Sequence, residues 1–221
     1  MTLLHALGPL LAVPCLAALL VSVYREQAGR RRVIKPLCSL TFVLAALLAT
    51  PPGREHLWAY LGLGLSFVGD ILLLGEDRRA LGGGLAAFLL AHACYLAWVL
   101  PGVHWGELPL WTLLLALPLL AAGGWILRAA WPRLGALAAP AVLYFCALSF
   151  LTWAALATWL GQAPGDPAAA LRGLGLGLFF ASDIAVARHR LVVPGFVNKA
   201  WGLPTYYLSQ HFLALSLAST L

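Results

Sequence analysis

Residues 61–74 read LGLGLSFVGDILLL, and this stretch decides the class of protein to which the chain belongs. It is an apolar run that holds one carboxylate, Asp70. Residues 174–187 read LGLGLFFASDIAVA and hold a second carboxylate, Asp183, at the matching position. Of the eight acidic residues in the chain, only these two lie inside apolar segments. Because a carboxylate in a hydrocarbon environment is costly, the sequence predicts that Asp70 and Asp183 belong to a functional site.

The composition is that of a membrane protein. Hydrophobic residues make up 62% of the 221 residues and charged residues only 10%, whereas soluble proteins carry roughly 45–50% and about 25%. These values exclude an ordinary soluble domain. The net charge of +6 is typical of basic loops on the cytoplasmic side of a membrane, so it does not indicate a nucleic-acid partner.

Eight apolar runs are long enough to cross a bilayer as helices, which takes roughly 17–25 residues. We therefore predict an all-α, polytopic membrane protein with eight transmembrane helices in a single domain, residues 1–221. Pro51 and Pro52 are expected to break the chain between the second and third helices. The predicted spans cover residues 3–24, 34–50, 57–75, 81–100, 110–127, 134–160, 171–187 and 200–217.

The basic residues predict the orientation of these spans. All fourteen Lys and Arg residues except Arg54 and Arg172 fall in odd-numbered connections. Since positive charge collects in cytoplasmic loops, the odd connections are predicted to be cytoplasmic and both termini to lie outside the cytoplasm. The Leu-, Ala- and Gly-rich composition favours a bacterial chain, and hence the inner (cytoplasmic) membrane.

The two matching stretches lie on the third and seventh spans. Four spans return a chain to the same side, so a duplication would give a parallel four-plus-four helix repeat. The alternative is that two segments rich in Leu and Gly match by chance, since only the shared Phe and Asp-Ile discriminate. The functional argument does not depend on the repeat.

Polar side chains of several spans are predicted to meet in the cytoplasmic half of the bilayer. At a rise of about 1.5 Å per residue, Asp70 and Asp183 lie roughly 7–9 Å from the cytoplasmic ends of their spans. Such groups also serve as structural hydrogen-bonding or packing residues between helices, and Lys35 is either a topology determinant or a ligand for a lipid phosphate. The uncharged candidates on the fourth and eighth spans are His92, Tyr95, Thr205, Tyr206, Tyr207 and Gln210.

Two carboxyl groups brought together in a low dielectric cannot both ionise easily. One then keeps its proton and can act as an acid, while the other stays charged. Such a pair suits a reaction through an oxocarbenium ion, as in glycoside cleavage. The sequence has no Gly-x-Ser-x-Gly or His-Glu-x-x-His motif, so we expect neither a serine nucleophile nor a metal, and no cofactor.

Short motifs follow one another in the order of the spans. They are Lys35-Pro36-Leu37, Gly69-Asp70, Ala91-His92 with Tyr95, Ser182-Asp183, and Thr205-Tyr206-Tyr207 with Gln210. Together they resemble the YhhN family of membrane proteins, and the resemblance covers most of the chain. It implies an eight-span helical bundle.

The resemblance also implies an activity. Characterised members of the family hydrolyse the vinyl-ether bond of lysoplasmalogens to a fatty aldehyde and a glycerophospho-base. The implied catalytic residues are Asp70 and Asp183, and the implied partners are a lysophospholipid substrate and the surrounding membrane lipid. The implied substrate-binding residues are Lys35, His92, Tyr95, Thr205, Tyr206, Tyr207 and Gln210.

Other functions fit some of the same residues. A proton-coupled transporter of a small molecule or lipid also uses intramembrane acids and repeats, but it needs a polar path across both leaflets, and the outer half of every span is nearly free of charge. A metal-dependent hydrolase would have to combine His92 and His211 with the aspartates. A scaffold without chemistry would leave the paired aspartates without a purpose.

Overall fold

The computed structural model describes residues 3–50 and 53–218, so the predicted break at Pro51 and Pro52 lies outside the described residues. Within these ranges the chain forms helices and no β-strand, which confirms the all-α prediction. Eight α-helices of sixteen or more residues follow one another: α1 Leu3–Tyr24, α2 Ala28–Ala49, α3 Leu57–Leu72, α4 Arg78–Val99, α5 Ala116–Leu134, α6 Ala138–Ala157, α7 Pro167–Leu191 and α8 Phe196–Ser216.

Each predicted span coincides with one helix, but two boundaries were wrong in ways that matter for the site. Helix α2 begins at Ala28, six residues earlier than predicted, so Arg30, Arg31 and Arg32 lie on its first turns instead of in a loop. Glu26 adopts a left-handed backbone, φ 55°, and turns the chain between α1 and α2, while Arg and Lys are good helix formers. Helix α3 ends at Leu72, three residues earlier than predicted, which places Asp70 in its last turn.

Four helical stretches are long and apolar enough to cross a membrane: Ala28–Ala49, Arg78–Gly102, Leu110–Gln162 and Pro167–Leu191. The third contains both α5 and α6, which are separated at Gly135, where φ is +53°. Large apolar side chains cover the outside of the protein, as at Leu110, which is 83% exposed. Together these features indicate an integral membrane protein, and eight crossings stay a prediction.

Small residues allow neighbouring helices to approach closely. A Cβ atom added at Gly202 of α8 would lie 2.6 Å from the Cβ of Ala185 on α7, and one added at Gly69 of α3 would lie 2.6 Å from the ring of Phe88 on α4. Helices α1 and α2, α3 and α4, and α7 and α8 pack as pairs. Helix α2 also packs on α8, and α4 on α6. The four-plus-four repeat stays a prediction.

Three arginines link helix ends at the face where the basic connections lie. Arg78 at the start of α4 donates to two carbonyls at the C-terminus of α5, and Arg133 of α5 donates to the last carbonyl of α7. Arg190 of α7 donates to two carbonyls just after α3. These bonds, 2.7 to 3.1 Å long, satisfy carbonyls that a helix end leaves unpaired. We call them the arginine links.

Candidate functional site

Asp70 is buried in a polar contact between α2 and α3. Asp70 is 3% exposed. The Lys35 Nζ atom lies 3.0 Å from Oδ1 of Asp70 and also donates to its backbone carbonyl at 2.9 Å. The Ser39 hydroxyl donates to Oδ2 at 2.7 Å. Lys35 and Ser39 are four residues apart and therefore share one face of α2. Asp70 thus has a cation at one carboxylate oxygen and a hydroxyl at the other.

Helix α8 brings two phenols to the same place. The Tyr207 hydroxyl lies 3.2 Å from Ser39 Oγ and donates to the Lys35 carbonyl at 3.3 Å. Tyr206 donates to the Ser66 carbonyl at 3.4 Å, and its hydroxyl is close enough to interact with the Asp70 carboxyl. The structure thus brings the predicted residues Lys35, Tyr206 and Tyr207 together around Asp70.

Asp183 lies in a different electrostatic environment. It is 8% exposed and lies two turns before the end of α7. The Tyr144 hydroxyl of α6 donates to its Oδ2 atom at 2.5 Å. Among the described residues no cation lies within ion-pair distance of Asp183. The two buried carboxyl groups therefore differ in that Asp70 is paired with a lysine.

Aromatic rings connect the two carboxyl groups. The centroids of Tyr206 and Phe179 are 5.8 Å apart, those of Phe179 and His92 are 5.0 Å apart, and those of His92 and Tyr144 are 4.8 Å apart. This row runs from the phenol beside Asp70 to the phenol that binds Asp183. The two carboxyl groups therefore belong to one interior region.

His92 and Gln210 both have buried polar atoms without a partner among the described residues. His92 is fully buried, and neither ring nitrogen has a hydrogen-bond partner among the described residues. Gln210 accepts a hydrogen bond from the Tyr95 hydroxyl at 3.0 Å, but its Nε2 atom is likewise unpaired within that part of the chain. A buried polar atom left unpaired costs about 1–3 kcal/mol, so these atoms are candidates for contact with a polar ligand.

Two other polar residues of α8 lie differently. Thr205 donates to carbonyls of its own helix, at 2.9 Å to Trp201 and 3.0 Å to Gly202, so its predicted role in substrate binding stays a prediction. His211 contacts the Tyr207 carbonyl at 2.7 Å and the Thr41 hydroxyl at 3.3 Å, which joins α8 to α2.

Across residues 3–50 and 53–218, no group of three His, Cys, Asp or Glu residues could hold a metal ion.

Sequence reasoning missed two residues of the site, Ser39 and Tyr144. The hydroxyl of each donates a hydrogen bond to one of the aspartates, and each residue lies on the helix before the one that carries that aspartate. A signal existed for both: Ser39 follows Lys35 by four residues, and Tyr144 is a tyrosine inside an apolar span.

Over residues 3–50 and 53–218, the fold is that of a helical integral membrane protein in whose interior Asp70 and Asp183 are buried. Residues 30–217, which are most of the chain, match the profile of the YhhN family. The chain belongs to the YhhN family, as the sequence motifs predicted.

Two similar proteins carry a functional name. A protein of Mycobacterium tuberculosis named lysoplasmalogenase is 32% identical over 166 residues, which are 74% of this chain and 60% of that protein. Lysoplasmalogenase TMEM86A of Homo sapiens is 29% identical over 185 residues, which are 81% of this chain and 73% of that protein. The match thus spans 60% of the length of the mycobacterial relative. No solved structure matches the chain significantly.

Proposed function

We propose that this protein is a membrane-embedded hydrolase that cleaves the vinyl-ether bond of lysoplasmalogen-type lysophospholipids and releases a fatty aldehyde and a glycerophospho-base. The observation that carries the proposal is the contrast between two buried carboxyl groups: Asp70 is paired with a lysine, and Asp183 is bound, within the described part of the chain, by a phenol alone. The names of its relatives support the same reaction.

The contrast supports a different role for each aspartate. In this mechanism Asp70 acts as the carboxylate, since Lys35 offsets its charge inside the protein. Asp183 acts as the acid, since no cation among the described residues offsets a charge there. The Tyr144 hydroxyl occupies one oxygen of Asp183, so the other oxygen carries the proton. The surroundings thus give the two carboxyl groups different roles, one as an acid and one as a base.

The reaction begins with transfer of the Asp183 proton to the outer carbon of the vinyl ether. The electron pair of the double bond forms the new C–H bond, and the ether oxygen shares the positive charge of the resulting oxocarbenium ion. The Asp70 carboxylate stabilises this cation. It then accepts a proton from the water molecule that adds to the cationic carbon, which gives a hemiacetal.

The hemiacetal collapses to the aldehyde and the free hydroxyl of the glycerol. Its own hydroxyl loses a proton, the carbon–oxygen bond to glycerol breaks, and the leaving oxygen takes up the proton that Asp70 had accepted. Asp183 recovers its proton from the one released by the hemiacetal. Water and the vinyl ether are consumed, and both acids return to their starting states.

The test is incubation of the purified protein in detergent with matched lysophospholipids that carry a vinyl-ether, an alkyl-ether or an ester chain. We expect fatty aldehyde from the vinyl-ether lipid alone, detected by mass spectrometry, because only that bond yields an oxocarbenium ion on protonation. Absence of aldehyde, combined with uptake of lipid into reconstituted vesicles, would favour the transporter interpretation and refute the proposal.

A further inference from the structure

Basic residues from three helices influence one another electrostatically at the end of the bundle nearest Asp70. Lys199 on α8 is within electrostatic range of Arg31 and Lys35 on α2 and of Arg190 on α7, and Glu76 lies among them. We call these four basic residues the basic cluster. It adjoins the site, because Lys35 is also the cation that neutralises the buried carboxylate of α3.

Three members of the basic cluster already have partners. Lys35 is engaged by the ion pair described above, Arg31 lies 3.5 Å from Glu76, and Arg190 forms one of the arginine links. Lys199 is only partly exposed, and it has no hydrogen bond and no ion pair with any residue that the structure describes. A partly buried ammonium group without a partner is costly, and an anion would remove that cost.

Helix geometry directs Lys199 toward the reacting region. Tyr206, whose phenol lies beside Asp70, follows Lys199 by two turns, so both residues occupy the same face of α8 at a separation of about 10 Å. In a lysoplasmalogen, six or seven bonds separate the phosphorus from the vinyl-ether carbons, or about 7–9 Å when extended. A phosphate held at Lys199 therefore places the vinyl ether at the depth of Tyr206.

The protein has room for the remainder of a headgroup at this end. A cavity of 240 Å³ shares Glu76 and Arg190 with the surroundings of Lys199, and Asp77 also lines it. Its wall thus carries both charges, which suits a headgroup with an anionic phosphate and a cationic base.

We propose that Lys199 binds the phosphate of the lysophospholipid headgroup and thereby sets the depth of the vinyl ether between Asp70 and Asp183. Lys35, the basic residue for which the sequence left a phosphate-binding role open, pairs with the Asp70 carboxylate. This inference rests on the proposed function, because that function supplies the ligand.

Binding of lipids that cannot be hydrolysed tests the inference apart from catalysis. The probes are a 1-O-alkyl lysophosphatidylethanolamine and the 1-O-alkylglycerol with the same chain, and dissociation constants are measured in detergent by native mass spectrometry. We expect the protein to prefer the phosphate-bearing lipid by about tenfold or more, the low end for a hydrogen bond to a charged group. Lys199→Gln should abolish most of this preference, and Lys199→Arg should retain it.

Arg32→Gln is the matched control, because it removes the same charge from an exposed position of α2 next to Arg31. It should leave the preference unchanged, and an equal loss in this variant would reduce the effect to general attraction between charges. An unchanged preference in Lys199→Gln, or equal weakening of both lipids, would overturn the inference. So would inorganic phosphate that binds as tightly as the lipid, since the site would then serve the free anion.

The two proposals can fail separately. Vinyl-ether cleavage without any preference for the phosphate-bearing probe would overturn the role of Lys199 and leave the hydrolase standing. A preference that depends on Lys199 in a protein that releases no aldehyde would support the phosphate site and refute the hydrolase.

Discussion

Replacing Lys35 by methionine would measure the ion pair on which the assignment of Asp70 depends. Methionine is nearly as long as lysine but carries no charge. In the structure, Nζ lies 3.0 Å from the carboxylate oxygen, and the two side chains are 13% and 4% exposed. At an effective dielectric constant near 20, their attraction is about 5 kcal/mol, much of which offsets the cost of removing both charges from water.

We expect Lys35→Met to lower the free energy of unfolding by about 3–5 kcal/mol, the usual consequence of leaving one member of a buried ion pair alone. If Asp70 takes up a proton instead, the loss of stability is smaller. Aldehyde release then falls by about 10²-fold or more, because the carboxylate that serves as the base is gone. Denaturant unfolding in micelles and the aldehyde assay together distinguish the two responses.

A double-mutant cycle with Asp70→Asn gives the decisive number. In the double variant no charge remains unpaired, so its loss of stability should be smaller than the sum of the single losses by about 2 kcal/mol or more. Arg32→Met, on the exposed side of α2, is the control and should stay within about 0.5 kcal/mol of the original protein. Additive losses in the cycle would refute the ion pair as the reason for a charged Asp70.

Asp70→Asn and Asp183→Asn should each lower aldehyde release by about 10²–10⁴, and the double variant should be little worse than the worse single one; near-normal turnover of either single variant would contradict the catalytic assignment. Tyr144→Phe removes one hydrogen bond to Asp183. The free energy of unfolding should therefore fall by about 1 kcal/mol, and aldehyde release should also fall. Normal aldehyde release would place Tyr144 outside the site. His92→Leu removes two ring nitrogens that have no partner among the described residues. The midpoint of thermal unfolding should therefore stay the same or rise, while aldehyde release falls. A variant that is both stable and fully active would exclude His92 from the site. Reporter fusions at the C-terminus and within residues 25–27 should lie on opposite sides of the membrane, and a shared side would contradict eight crossings.

The two aspartates could be found from the sequence because an acid inside an apolar run is visible without knowledge of the fold. The helices could be placed for the same reason, since long apolar runs in this chain have few other outcomes. Helix ends were less predictable. The position where α3 stops is set by a turn whose carbonyls are bound by Arg190, a residue more than a hundred positions later in the chain.

The partners of the aspartates could not be predicted in the same way. Ser39 matters only because α2 is rotated so that one face meets α3, and Tyr144 only because α6 packs against α7. No local sequence pattern predicts these helix orientations, because both depend on how helices distant in sequence pack together. Lys35 illustrates the same limit. The sequence predicted it as a site residue, but its contact with Asp70 could be seen only in the structure.

The arginine links have a consequence for the biogenesis of this protein. The same three side chains contribute to the positive charge that orients a nascent span during insertion and later bind carbonyls on a neighbouring helix. Insertion responds to charge alone, whereas a guanidinium that binds a helix end depends on its planar shape and several donors. Lysine at these positions would therefore satisfy the insertion machinery yet deprive the finished bundle of its links, which separates the early decision about orientation from the later assembly of the helices.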